Sequence, residues 1–324
     1  IFYIARMISH LYSMFSDPLH AVWRHRLRCH APAGCAALAS GLLVMSASCS
    51  HSDEPEPTPE HDVTSILLYA VASNNLTYDL ADDINELLKG ARNIDPAHAD
   101  IWIYSLTNRI PPKLQRVVRN ADGTPALETV KEYTRDTFST DPSRISEVIA
   151  DYIGLSAAEK RGIIFWSHAS GWQPDFSNHQ VPSEDSHLAS GPVGGFTVNY
   201  SYGADQSAGV TDSCDIIELD DAIPSDTFDF IWFDCCYMSS IEVLYQLRDK
   251  AGHIVAYPTE VAGEGMPYDL TIPHLARYDY DLTAAAKAMT DYYFDRNQVI
   301  TIAICDTSGL EELAAEAEKA VGGT

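Results

Sequence analysis

No stretch after residue 62 is both apolar and long enough to cross a bilayer, which takes roughly 20 consecutive apolar residues, so the body of the chain offers no membrane span. Cations are scarce as well. Lys and Arg total 21 against 46 Asp and Glu, a formal charge of −25, which argues against a nucleic-acid surface and favours attraction of basic substrates. The seven cysteines, at 29, 35, 49, 214, 235, 236 and 305, form no C-x-x-C pair. Neither a zinc ribbon nor a dense disulfide framework is therefore expected. No internal repeat is present. What the 324 residues do hold is core material, 46% hydrophobic and 10% aromatic, enough for a globular α/β body.

The chain opens on Ile1 and stops at Gly-Gly-Thr soon after a helical pattern, so an untrimmed start and a truncated end are expected, and residues 1–13 are set aside. From Met14 the sequence reads as an export leader. Arg24, Arg26 and Arg28 form its positive end and AALASGLLVM (36–45) its short apolar run. Ser46-Ala47-Ser48-Cys49 then resembles a bacterial lipobox, in which the cysteine is acylated and becomes the mature N-terminus. A spanning anchor is the competing reading; the short apolar run, interrupted by Gly41, disfavours it. Residues 1–49 are thus read as leader. Residues 50–62 (SHSDEPEPTPEHD) are acidic, rich in proline and unable to bury a core, so they form an extended tether. Residues 63–324 form the folded domain.

Within that domain, strand-like apolar runs alternate with helical patterns, the signature of a mostly parallel sheet covered by helices on both faces. Strands are expected at 65–72, 100–106, 162–166, 228–233, 253–257 and 299–305. Helices are expected at 80–88, 143–153, 240–248 and 283–294, the third presenting Ile241, Leu244 and Leu247 to the core. Residues 173–214 are polar and lack periodicity, which reads as a long surface excursion.

Two of the strands run into reactive residues: GIIFW into Ser167-His168-Ala169-Ser170-Gly171-Trp172, and FDFIWF into Asp234-Cys235-Cys236. In an open parallel sheet, sites form beyond the carboxyl ends of the strands, so neighbouring strands would bring an imidazole and a thiol to one edge. A nearby His, helped by the N-terminus of the following helix, ionises the thiol and later protonates the leaving amine. A lone His after a strand is more often structural, and a Cys in an apolar run more often inert. The paired placement favours catalysis.

The blocks FWSHASGW, FDCCYMSS and EVAGEGMPY, with AVASNNLTYDLADDINELL upstream, resemble the clostripain family of cysteine peptidases over roughly residues 63–310. The resemblance implies a caspase-like fold, shared with gingipains and legumain, with His168 and Cys236 as the catalytic dyad. Cys235 then stands where a small residue is usual. Ala169 stands where the family has Gly, keeping the N–H that helps hold the oxyanion. Ser167 replaces a residue that is often acidic, and no third catalytic member is assigned. Asp234 and Glu264 match the acidic floor of the pocket for the residue preceding the cut. This implies cleavage after Arg in preference to Lys, since a carboxylate pairs best with guanidinium. The bland alternative makes Asp234 a helix cap and Glu264 a solvated side chain.

No cofactor is required by this reading. The resemblance allows a calcium ion, for which Asp220, Asp221 and Asp226 are the candidates, although no EF-hand loop is present; no metal ligand is assigned. The expected protein is an exported, lipid-anchored monomer of the cell envelope or surface, acting on protein or peptide substrates. A relative that keeps the fold, binds peptides and lacks catalysis is the alternative. The type member of the family is cut between its histidine and cysteine blocks. Here residues 162–247 contain neither Lys nor Arg, so a pocket selecting basic residues finds no site there and a single uncleaved body is expected.

Overall fold

The computed structural model describes residues 62–108, 110–172 and 201–322. The chain divides into two units, His61–Leu313 and a second made of Ile1–Glu60 with Ala314–Thr324. Of the second, only residues 314–322, the end of a helix, are described. The leader, Cys49 and most of the tether lie outside the described residues.

The strands are β1 (Thr64–Ala72), β2 (Ala99–Thr107), β3 (Lys113–Arg119), β4 (Pro125–Glu132), β5 (Lys160–Trp166), β6 (Ser201–Asp205), β7 (Asp212–Asp215), β8 (Phe228–Asp234), β9 (Ala251–Ala256) and β10 (Ala303–Asp306). The helices are α1 (Thr77–Ala91), α2 (Pro142–Leu155), α3 (Ile216–Ala222), α4 (Ile241–Gln246), α5 (Tyr268–Leu275), α6 (Leu282–Phe294) and α7 (Leu310–Gly322).

Eight strands form one sheet in the order β10-β9-β8-β5-β1-β2-β3-β4. The middle five are parallel, and both edges turn antiparallel through β10 and through the β3–β4 hairpin. Strand β1 shows why the sheet needs two covers: all nine of its residues are buried. Successive side chains point to opposite faces. Leu67, Tyr69 and Val71 therefore join Ile145, Ile149 and Leu219 on the α2–α3 side. Ile66, Leu68 and Ala70 join Leu80, Leu87, Ile272 and Met289 on the α1, α5 and α6 side. The result is the mostly parallel, helix-flanked architecture that the alternating pattern implies.

The structure departs from that pattern in several places: helices α3 and α5 were not expected, and the strand expected at 299–305 begins only at Ala303. The hairpin β3–β4 was not expected, because its residues are mostly half-exposed and carry charges. Residues 201–215, expected as part of a surface excursion, instead form the ribbon β6–β7, with every residue of β6 buried. In α4 the inward stripe is Val243, Leu244 and Leu247, while Ile241 is exposed at the helix start. Residues 173–200 of the excursion lie outside the described residues.

Candidate active site

Strands β5 and β8 are adjacent and parallel, with Trp166 opposite Asp234. His168 and Cys236 each lie two residues past that pair, so the register delivers both to the carboxyl edge of the sheet. Together with Asn75, Asp234, Trp166 and the backbone of Val261 to Gly263, they line a cleft of about 220 Å³.

The histidine loop is held by β6. Gly203 N donates to His168 O (2.8 Å), Ser170 N donates to Ser201 O (2.9 Å), and Ala169 sits between them in a bridge with Tyr202. Ser167 is buried: its hydroxyl donates to Val71 O (2.8 Å) and accepts from Ala204 N (3.2 Å). It anchors the loop and supplies no carboxylate. The imidazole Nε2 lies 2.7 Å from Oδ1 of Asn75. Burial holds His168 below its ordinary value, opposed by the nearby Asp79 carboxylate.

Cys236 is half-buried, and burial pushes its thiol up; the bond from Val261 N to Sγ (3.4 Å) works the other way. Both groups of the pair are thus biased to their neutral forms, an uncharged thiol beside an uncharged imidazole. The helix that was expected to assist begins only at Ile241, and its first turn is capped by Ser240, whose Oγ accepts from Val243 N (3.4 Å). Cys235 points into the core, 2% exposed, and burial raises its thiol well above the ordinary value. Both features disfavour it as a nucleophile, although it borders the same cleft.

The two loops meet at one backbone contact. Gly171 has φ +57°, and a Cβ there would overlap the carbonyl oxygen of Tyr237, itself a non-glycine residue at φ 62° next to the thiol. Only glycine admits both the conformation and the approach.

Asp234 lies at the inner end of the cleft. One oxygen, Oδ2, accepts from Met266 N and from the Tyr268 hydroxyl (both 3.0 Å); the Tyr257 hydroxyl adds a weaker contact that favours the carboxylate, and Oδ1 receives no full hydrogen bond. Burial pushes its carboxyl up to about 6. It caps no helix, since Ser240 fills that role. A second buried acid, Asp83, accepts from the indole of Trp166 (2.7 Å) and is pushed up to about 9, first by burial and then by Asp234. Both influences favour its neutral form. Glu264 is exposed, and its glycine neighbours, Gly263 and Gly265, line the cleft in its place. Gly265 has φ +57°, and a side chain there would press on Asp234 Oδ2 at 2.9 Å.

Of the acidic residues considered for calcium, Asp220 is paired, with Lys250 (3.2 Å) and Gln246 (2.9 Å), and Asp226 is a turn residue at φ 54°. Among the described residues no group of three or more His, Cys, Asp or Glu is placed to hold a metal ion. Nor is any helix among them long and apolar enough to cross a membrane. Asn75 is the site residue that the sequence reading missed. It follows β1, the third strand ending at this edge, and that position was its only signal.

A caspase-like sheet carrying an imidazole and a thiol on adjacent strand ends defines a cysteine peptidase. The family model described as "Clostripain family" matches residues 68–321, and the chain belongs to that family. Among solved structures, it is similar to a secreted C11 cysteine protease from Bacteroides thetaiotaomicron bound to an irreversible peptide inhibitor. That likeness has 26% identity and TM-score 0.66, over 79% of this chain and 69% of that one. It shares its fold with an inactive zymogen C11 protease from Parabacteroides distasonis, at 24% identity and TM-score 0.63, over 79% of this chain and 65% of that one. No curated protein matches.

Proposed function

We propose that this cysteine peptidase is an endopeptidase that cleaves after basic residues, Arg before Lys, with His168 and Cys236 as its dyad. The observation that carries the specificity is the buried carboxylate of Asp234, which lines the cleft with Cys236 and whose Oδ1 lacks a full hydrogen bond. A buried acceptor left short of hydrogen bonds costs stability unless something fills it. A guanidinium from the substrate supplies both charge and donors, and the fork of Arg uses a carboxylate better than the ammonium of Lys does. Glu264, exposed beside the cleft, adds long-range attraction for the same cation.

In the reaction, His168 takes the thiol proton as Cys236 attacks the scissile carbonyl. Charge develops on the carbonyl oxygen, and the Ala169 N–H is the donor assigned to it. Collapse breaks the C–N bond, the departing amine takes the proton from His168, and a thioester remains for water to hydrolyse. None of these steps needs a cofactor, so chelating calcium should leave the rate unchanged; a loss restored by added calcium would call for a structural ion.

The relative bound to the peptide inhibitor is described as secreted, which fits the export leader read from residues 14–49. We place this chain in the cell envelope, tethered by a lipid on Cys49, and working as a monomer that remains one uncleaved body. Digestion of a peptide library followed by product sequencing tests the main reading. Cuts after Arg and Lys, absent with Cys236→Ala, are expected; cuts after apolar or acidic residues would refute the assigned pocket.

A further inference from the structure

Asn75 stands in the short turn between β1 and α1, and its side chain faces His168 across the cleft. The amide oxygen Oδ1 can only accept, so at 2.7 Å from Nε2 it requires the hydrogen on that nitrogen. The neutral imidazole then carries its lone pair on Nδ1. The two partners are also set by shared anchors. Asn74 Nδ2 donates to Val71 O (3.3 Å) and Ala204 O (2.7 Å), while Asn74 Oδ1 accepts from Leu76 N (2.8 Å). Ser167, next to His168, uses the same two residues: its hydroxyl donates to Val71 O and accepts from Ala204 N. The turn bearing Asn75 and the loop bearing His168 are therefore pinned to the same two residues, Val71 on β1 and Ala204 on β6.

We propose that Asn75 is the positioning residue of the dyad, holding the imidazole by Nε2 so that Nδ1 is the atom that exchanges protons with Cys236 and the substrate. The inference rests on His168 and Cys236 being that dyad. The thiol S–H breaks and its proton moves to Nδ1 as the S–C bond forms. When the peptide C–N bond breaks, that proton leaves Nδ1 for the amine. Water then gives one proton to Nδ1 while its oxygen attacks the thioester, and the S–C bond breaks with the proton returning to sulfur. Throughout, the hydrogen stays on Nε2 and is donated to Asn75 Oδ1, which also steadies the transient imidazolium. The charged group acting on His168 is Asp79 from α1, which favours the imidazolium, and Cys236, from the turn after β8, lines the same cleft. Asn75 itself carries no charge and is exposed, so replacing it disturbs the site without emptying the core.

The test compares Asn75→Ala, Asn75→Asp and Cys236→Ala with the parent, measuring kcat and KM against pH on one peptide substrate and checking the fold by thermal melting. Asn75→Ala should lose on the order of 10–100-fold in kcat with KM little changed, less than the 10²–10⁴ that losing proton transfer altogether costs. Asn75→Asp keeps the acceptor. It should stay within about tenfold of the parent and move the histidine limb of the profile to higher pH, because an adjacent carboxylate favours the imidazolium. With Cys236→Ala inactive, an Asn75→Ala rate within threefold of the parent overturns the inference alone. So does an Asn75→Asp rate below that of Asn75→Ala, which would mean that the amide donates. Turnover by Cys236→Ala would instead overturn the dyad and this inference with it.

Discussion

Replacing Asp234 by Asn should make the resting enzyme more stable and a worse peptidase, and the size of both effects follows from its surroundings. The side chain is 4% exposed, and burial moves its carboxyl from the ordinary 3.8 to about 6. Ionising it in the folded state therefore costs about 3 kcal/mol more than in the unfolded chain, at 1.36 kcal/mol per pH unit. The sign is that of a raised acid. The folded state keeps a proton that the unfolded chain has already lost, so stability falls as pH rises from near 4 to about 6, and the full cost stands at pH 7.5. An Asn avoids the cost of the buried charge: its oxygen can take the Met266 N–H and Tyr268 hydroxyl bonds, although its amide N–H groups gain no acceptor where Oδ1 stood, which offsets part of the gain. Asp234→Asn should thus melt several degrees higher at pH 7.5 and show no advantage at pH 4. Losing a charge-assisted contact worth about 1.5–3 kcal/mol should lower kcat/KM on Arg substrates by roughly 10- to 100-fold. In the parent, kcat/KM should fall as pH drops below about 6. Thermal melts at both pH values, set beside kinetics on an Arg peptide, decide the matter. An unchanged melting temperature together with unchanged kinetics would refute the assignment of Asp234 as an empty cation site.

Cys236→Ala should abolish turnover and His168→Ala should nearly do so, whereas Cys235→Ala should keep most activity and lose about 1 kcal/mol of stability from its buried position, as read by kinetics and denaturant melts. Gly171→Ala should cost at least tenfold in kcat, because its methyl would push the Tyr237 carbonyl and the nucleophile turn out of place; full activity would show that the two loops move independently. Cys49→Ser should release the mature protein from membranes, and an unmodified Cys49 at the native N-terminus, seen by mass spectrometry, would sink the lipid tether.

The central strands were legible because they are buried on both faces and read as unbroken apolar runs, and the placing of His168 and Cys236 at one sheet edge was legible because two of those runs lead into them. Elements whose stability comes from partners far along the chain were not. β6 is polar in composition yet fully buried, because its backbone clasps the histidine loop and Asp205 takes the Ser73 hydroxyl (2.7 Å) and the Ser139 N–H (2.7 Å). Asn75 looked like an ordinary turn residue, and nothing local in the sequence says that its turn faces residue 168. Position also separated the two acids matched to the pocket. Asp234 ends a buried strand and keeps an oxygen without a full hydrogen bond, while Glu264 lies between two glycines on an exposed turn.

The most direct test of the central claim is mass mapping of the intact protein after reaction with a peptidyl-arginine chloromethylketone. The dyad and the acidic cleft together predict a single adduct on Cys236, formed much more slowly when His168 is Ala or Asp234 is Asn. An adduct on Cys235, or labelling at the same rate by an uncharged analogue, would contradict the account.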